Sequence, residues 1–353
     1  EFADDVRGII PSDKLEAIVL GGGYGRGEGG VLRTAAGDEP YNDLEFYLFV
    51  TEPLILRERQ YKRAIHELAH RWSEKCRIEF EAKILSFRKI QRSVVTMFYH
   101  DLVMGHRWVW GRLQDFVDCE QQRAAHRIPM HEGTCLLMNR CSGLLFSSAL
   151  LKKGNFTNDD ADFVRRNIAK AQLALGDSML CAYSRYHSSC RERQRRLEKL
   201  DPANATLWLD KMTLLHAIGV EFKLHTYKST ERRDDLLREH EEITRLAGSI
   251  FLWFEEKRLG TTFETHRDYA FDTTPKHPDT RALRNSLINL KTFGPSVIST
   301  RYPRERLLEA LALLLWSPLD AEAIRKLQTN LQTRATSFEE LVAAYRKLWS
   351  RFN

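Results

Sequence analysis

The 353-residue chain has six cysteines but no C-x-x-C pair, only 10 prolines, no repeat at a fixed period and no low-complexity tract. These absences argue against a zinc ribbon, a dithiol redox centre and a solenoid. The longest unbroken apolar run, Ala310 to Trp316, is far below the ~20 residues of a membrane span, so no membrane partner is expected. Charge of one sign is also scarce. A formal net charge of +6 tolerates a polyanionic partner without demanding one. No secretory segment stands ahead of Cys76, Cys119, Cys135, Cys141, Cys181 and Cys190, so reduced thiols in a cytoplasmic protein are expected. The sequence opens at Glu1 rather than methionine, and a native segment ahead of it is expected.

What is present centres on Gly21 to Val50, GGGYGRGEGGVLRTAAGDEPYNDLEFYLFV. Ala17 to Leu20 is a short apolar run stopped by three glycines, the pattern of a buried strand entering a tight turn. Glycines there let backbone N–H groups of Gly22 and Gly23 approach an anion, and Arg26 adds a fixed positive charge. In the following strand, the period of two puts Asp43, Glu45 and Tyr47 on one face and Leu44, Phe46, Leu48 and Val50 on a core face. Neighbouring carboxylates repel unless a cation lies between them, and Mg²⁺ or Mn²⁺ is the natural partner.

Other motifs compete. A Walker loop needs a Gly-Lys step that this turn lacks. Gly25, Gly27 and Gly30 fit G-x-G-x-x-G, but Gly37 and Pro40 interrupt the crossover helix that a dinucleotide fold requires. His66 to His70, HELAH, matches the H-E-x-x-H of zinc peptidases on an amphipathic helix expected from Leu56 to Glu74. Arg63 and Arg71 flank it, and the stripe Tyr61, Ile65, Leu68 and Trp72 points away from both histidines, so a solvated helix face is expected there.

The segments GGYGRGE (Gly22 to Glu28) and PYNDLE (Pro40 to Glu45) resemble the glycine turn and acidic strand of bacterial signal-protein uridylyltransferases. More broadly they are similar to the DNA polymerase β-type nucleotidyltransferase superfamily. The resemblance covers roughly the first third of the chain, with an extra segment at about Gly29 to Asp38 and Glu45 where aspartate is usual. It implies a metal-dependent transfer of a nucleoside monophosphate from a nucleoside triphosphate to an acceptor hydroxyl. The acceptor class (protein, RNA or small molecule) and the oligomeric state are not implied. Asp43 and Glu45 would hold metal, and Gly22, Gly23, Tyr24 and Arg26 would meet the nucleotide. A third carboxylate would come from the alternating segment Cys76 to Leu85, with Glu79 first and Glu81 next. A non-catalytic nucleotide-binding or antitoxin-like module of the same fold is the alternative that Glu45 motivates.

Trp108 and Trp110 are expected to close the edge of this domain, after a helix around Val94 to Leu102. From about Asp115 to Arg127 strand alternation gives way to helical periods. The expectation is an α+β protein, with a small mixed-sheet domain over 1–114 and a larger all-helical domain over 115–353. Helices are expected at Cys135–Leu151, Asp159–Tyr183, Thr206–Leu224, Asp234–Lys257, Ala282–Leu290, Arg304–Trp316, Leu319–Gln332 and Phe338–Trp349, with Thr261–Thr280 a loop. Arg166, Lys170 and Asp177 lie close to one polar helix face, and the resemblance makes Lys170 or Arg166 a candidate triphosphate contact. The run Arg191 to Lys199 reads as a solvated helix end, and Arg233 with His240 is similar to the R-x(4–6)-H of helical ribonuclease domains.

Overall fold

The structure, a computed structural model, describes residues 1–34, 37–111, 113–200, 208–295, 297 and 299–352. It is α+β, with two small sheets in the N-terminal region and a mostly helical remainder. Two compact units result. The first comprises Glu1–Glu132, Tyr183–Ala205 and Ala217–Tyr227, and the second Gly133–Ala182, Thr206–His216 and Lys228–Asn353. The first unit therefore runs past the expected boundary at 114 and takes in two later segments that helical periodicity alone assigned to the second.

In the first unit, α1 (Phe2–Ile9) leads into β1 (Leu15–Leu20), the glycine turn winds into a single helical turn, α2 (Gly22–Gly25), and a hairpin follows of β2 (Val31–Thr34) and β3 (Gly37–Pro40). Then come β4 (Leu44–Val50), α3 (Leu54–Cys76), β5 (Phe80–Leu85), α4 (Phe87–Arg92), α5 (Met97–Met104), β6 (Arg107–Gly111) and α6 (Glu120–Arg123). The main sheet has the order β5-β4-β1-β6, with β4 and β5 parallel and β1 antiparallel to both its neighbours. Trp108 and Trp110 thus lie on the edge strand. The helix expected around Val94 to Leu102 is α5, which starts three residues later because Thr96 caps it by accepting the Tyr99 N–H; α4 ahead of it was not expected.

Both faces of this sheet are covered. Phe46, Leu48 and Val50 pack with Ile18 against Phe2 and Val6 of α1 and Tyr61, Ile65 and Leu68 of α3. Tyr47 and Phe49 pack on the other side with Val19, Phe87, Ile90, Leu102 and Phe116, and Phe49 stacks on Phe87 at 4.0 Å between centroids. The alternation in β4 therefore separates two cores, and only the N-terminal end of the strand, where Asp43 and Glu45 are half-buried, leaves the interior.

Between the two motif halves lie β2 and β3, paired antiparallel as a hairpin, with Gly37 at a φ of 122° at the start of β3. Its base is pinned, which holds the two flanking motifs together. Tyr24 does this, its hydroxyl donating to the Gly30 carbonyl at 2.7 Å and accepting the Tyr41 and Asn42 N–H groups at 2.9 and 3.3 Å. The Asn42 side chain accepts the Gly30 N–H at 2.7 Å. On its other edge β2 pairs in parallel with β7 (His225–Thr226).

The remaining helices are α7 (Met130–Leu151), α8 (Asn158–Ala182), α9 (Cys190–Glu198), α10 (Leu209–Leu224), α11 (Arg233–Leu259), α12 (His266–Phe271), α13 (Ala282–Phe293), α14 (Arg304–Trp316), α15 (Ala321–Leu331) and α16 (Phe338–Trp349). The last turns of α10 and all of α9 belong to the first unit. Expected and observed helices agree closely, α14 and α16 end to end. The expected start at Thr206 lies outside the described residues, and α12 interrupts the stretch read as a loop through a capping box of Thr265 and Asp268. Among the described residues α7 is long and apolar enough to cross a membrane by length and composition alone, and 61% of that window is buried inside the protein, as in a core helix.

Candidate functional site

The glycine turn and the acidic strand meet directly. The Gly21 N–H donates to the Glu45 carbonyl at 2.8 Å, which fastens the end of β1 to the start of β4. Gly22 has a φ of 60°, and a Cβ there would lie 2.2 Å from the Glu45 Oε1, so the carboxylate sits over the turn in space only glycine leaves. At Gly21 a Cβ would enter the Tyr47 ring at 2.5 Å. The start of α2 leaves the Gly22 and Gly23 N–H groups without an acceptor among the described residues.

Tyr47 donates its hydroxyl to the Glu45 Oε2 at 2.5 Å, which fixes the carboxylate. Burial drives the Tyr47 phenol far above its ordinary range, and Glu45 and Glu81 add to the effect, so this proton stays on tyrosine. In the parallel pair β4–β5, Glu45 is opposite Glu81 and Leu44 opposite Phe80. Glu45 and Glu81 are therefore lateral neighbours on one sheet face, at the ~4.8 Å spacing of adjacent strands. Glu81 also accepts Lys83 at 2.6 Å. Glu79 precedes β5 and its carbonyl accepts the Leu44 N–H at 2.8 Å, so the same register carried back one step sets it opposite Asp43.

Among the described residues, no group of three or more His, Cys, Asp or Glu side chains is arranged to hold a metal ion. A closed all-protein cage is therefore absent there. Magnesium is commonly held by one or two carboxylates with substrate phosphates completing the octahedron, and the Glu45–Glu81 pair beside Asp43 has that donor chemistry.

Arg26 and Glu28 are anchored from behind. Arg26 pairs with Asp101 at 3.4 Å and its aliphatic stem lies on Gly105. Burial raises the Asp101 carboxyl, while Arg26 and Arg193 act against that. Glu28 caps α9, accepting the Ser189 hydroxyl at 2.7 Å and the Cys190 N–H at 2.8 Å. The basic run Arg191 to Lys199 is thus a docked helix rather than a solvated end, with Cys190, Arg193 and Leu197 buried. Sequence reasoning missed Lys223. The end of α10 lies against the turn, since a Cβ on Gly30 would be 2.8 Å from the Lys223 carbonyl. Burial pushes the Lys223 ammonium below its ordinary value, among Cys190, Arg193, Arg26 and Glu28. Nothing local in the sequence marks a lysine so distant from the glycine turn.

The remaining candidates fall elsewhere. Lys170 is exposed on α8 in the second unit. Asp177, expected on the same polar face, is buried and bonded to His216 at 3.0 Å, and Arg166 pairs with Asp162 at 3.0 Å. His240 is buried with a ring nitrogen on the Leu144 carbonyl at 2.8 Å, so it is a core histidine. His66 and His70 are exposed, Glu67 is paired with Arg63 at 2.9 Å, and no third ligand joins them among the described residues. Comparison of the chain with protein-family models, curated proteins and solved structures gave no match.

Proposed function

We propose that the chain is a nucleotidyltransferase that moves a nucleoside monophosphate from a nucleoside triphosphate to an acceptor hydroxyl. The observation that carries this reading is the Glu45 carboxylate lying over Gly22, at the turn whose Gly22 and Gly23 N–H groups have no acceptor among the described residues. In the reaction the acceptor oxygen bonds to the α-phosphorus and the α–β P–O bond breaks. Pyrophosphate leaves with the bonding pair, and the acceptor proton passes to Glu81, or to Glu79 beside Asp43. Gly22 and Gly23 donate to the leaving phosphates, while Arg26 and Lys223 neutralise the charge that collects on them. Tyr24 acts by fixing the turn. One or two carboxylates drawn from Asp43, Glu45 and Glu81 would hold Mg²⁺ or Mn²⁺ together with substrate phosphates, and the metal would supply charge neutralisation at the phosphates and make the acceptor hydroxyl more acidic. Six free thiols suit a cytoplasmic setting for this chemistry.

The test is incubation of the purified chain with each α-labelled nucleotide and Mg²⁺ or Mn²⁺ in cell extract, with protein, RNA and small-molecule fractions scored separately. Label in one fraction names the acceptor class. A second reading, a nucleotide-binding module without turnover, draws on the occupied carboxylates, since Glu45 holds Tyr47 and Glu81 holds Lys83. Tight metal-dependent nucleotide binding with no label in any fraction selects it.

Binding also separates the two lysines. Lys223→Met is expected to weaken triphosphate affinity roughly tenfold, as loss of one charge-assisted contact does, and Lys170→Met to weaken it less. Calorimetric titration reads both, and the reverse order returns the phosphate contact to Lys170.

A further inference from the structure

Helix α13 is packed inside out. Its buried face is polar: Asn285 donates to the Thr280 hydroxyl and the Thr300 carbonyl at 2.9 Å each, and Asn289 donates to the Ser299 and Arg301 carbonyls at 3.1 and 2.8 Å. Its outward face carries Leu283, Leu287 and Leu290, which are 84%, 68% and 51% exposed. These leucines are spaced by four and then three, which is the d-a-d order of a coiled-coil seam. Arg284 and Lys291 each follow a seam leucine, seven residues apart, and so line one flank. The helix has no Asp or Glu, and neither cation has an ion pair or hydrogen bond among the described residues.

We propose that this seam docks an acidic amphipathic helix of a partner protein, whose leucine-type residues pack between Leu283, Leu287 and Leu290 and whose carboxylates meet Arg284 and Lys291. Charge decides against a second copy of this chain. An antiparallel copy would set the same cations against each other, and a parallel copy would set the uncharged Ser286 against Lys291, while the position facing Arg284, Asp279, falls ahead of the helix start at Ala282. Width decides against a bilayer. At 100° per residue the three leucines span ~60° of the circumference, whereas helices that lie in a membrane surface show a broad apolar face.

The test uses the full chain and two labelled three-heptad peptides with leucine at a and d, one with glutamate and one with lysine at e and g. Fluorescence anisotropy is expected to show binding of the glutamate peptide that weakens with salt, and roughly tenfold weaker binding by Leu287→Gln. The double variant Arg284→Glu with Lys291→Glu is expected to switch preference to the lysine peptide. Circular dichroism checks that both variants keep their helices, which surface substitutions leave intact. Equal binding of the two peptides, or binding of neither, overturns the proposal. So does preferential binding to vesicles containing phosphatidylserine, or a dimer of the chain that Leu287→Gln dissociates.

Discussion

Asp43→Asn is expected to abolish incorporation of label from an α-labelled nucleotide, by at least about 10²- to 10³-fold, with the folded chain intact. The substitution keeps the shape of the side chain and removes one negative charge beside the Glu45–Glu81 pair. Because transfer rests on positioning and charge neutralisation, the loss falls on turnover. Asp43 is half-buried at the mouth of β4 and outside both sheet cores, so the thermal midpoint should move by less than about 2 °C. Glu45→Gln provides the companion measurement. It retains an oxygen for the Tyr47 hydroxyl, so a comparable loss of turnover without unfolding separates charge from packing. Turnover retained in both variants would remove Asp43 and Glu45 from the reaction.

The features that were legible were those written in local sequence. The strand-turn-strand plan from Leu15 to Val50 follows from apolar runs and glycines, and α14 and α16 follow from helical periods with clear stops. The choice between Glu79 and Glu81 was not local. It depends on the register of β5 against β4, which backbone pairing sets and no pattern within Cys76 to Leu85 records. The second core of β4 was not local either, since Tyr47 and Phe49 are covered by α4 and α5, which lie further along the chain. The β2–β3 hairpin was hidden by its composition. Residues 37–40, GDEP, have little strand preference, and their pairing is held by Tyr24 and Asn42 at the base. In α13 the pattern was plain but its direction was not, because buried asparagines hold the polar side inward.

The role of Glu28 was the least visible and has the largest expected effect on stability. Its partners on α9 are more than a hundred residues away in sequence, yet its carboxylate takes the Ser189 hydroxyl and the Cys190 and Arg191 N–H groups. Burial raises the Glu28 carboxyl, but these three donors outweigh it and hold the group down to about 2, against an ordinary value of 4.5. A carboxyl held lower in the folded state stabilises that state fully above about pH 4.5 and ceases to do so as pH falls through about 2. With Glu28 only 6% exposed, little solvent screening applies, and the difference corresponds to roughly 3 kcal/mol at neutral pH. Glu28→Gln is therefore expected to lower the urea unfolding free energy at pH 7 by about 2 to 3 kcal/mol and to flatten its decline between about pH 5 and 2. Ser189→Ala, which removes one donor and leaves the charge at the helix start, is expected to cost about 1 kcal/mol. An unchanged urea midpoint for Glu28→Gln would mean that α9 is held by Cys190, Arg193 and Leu197 alone. Since Glu28 lies two residues from Arg26, with Gly27 between them at a φ of 73°, undocking α9 loosens the turn that carries Gly22. Weakened nucleotide binding should then appear before any loss of secondary structure.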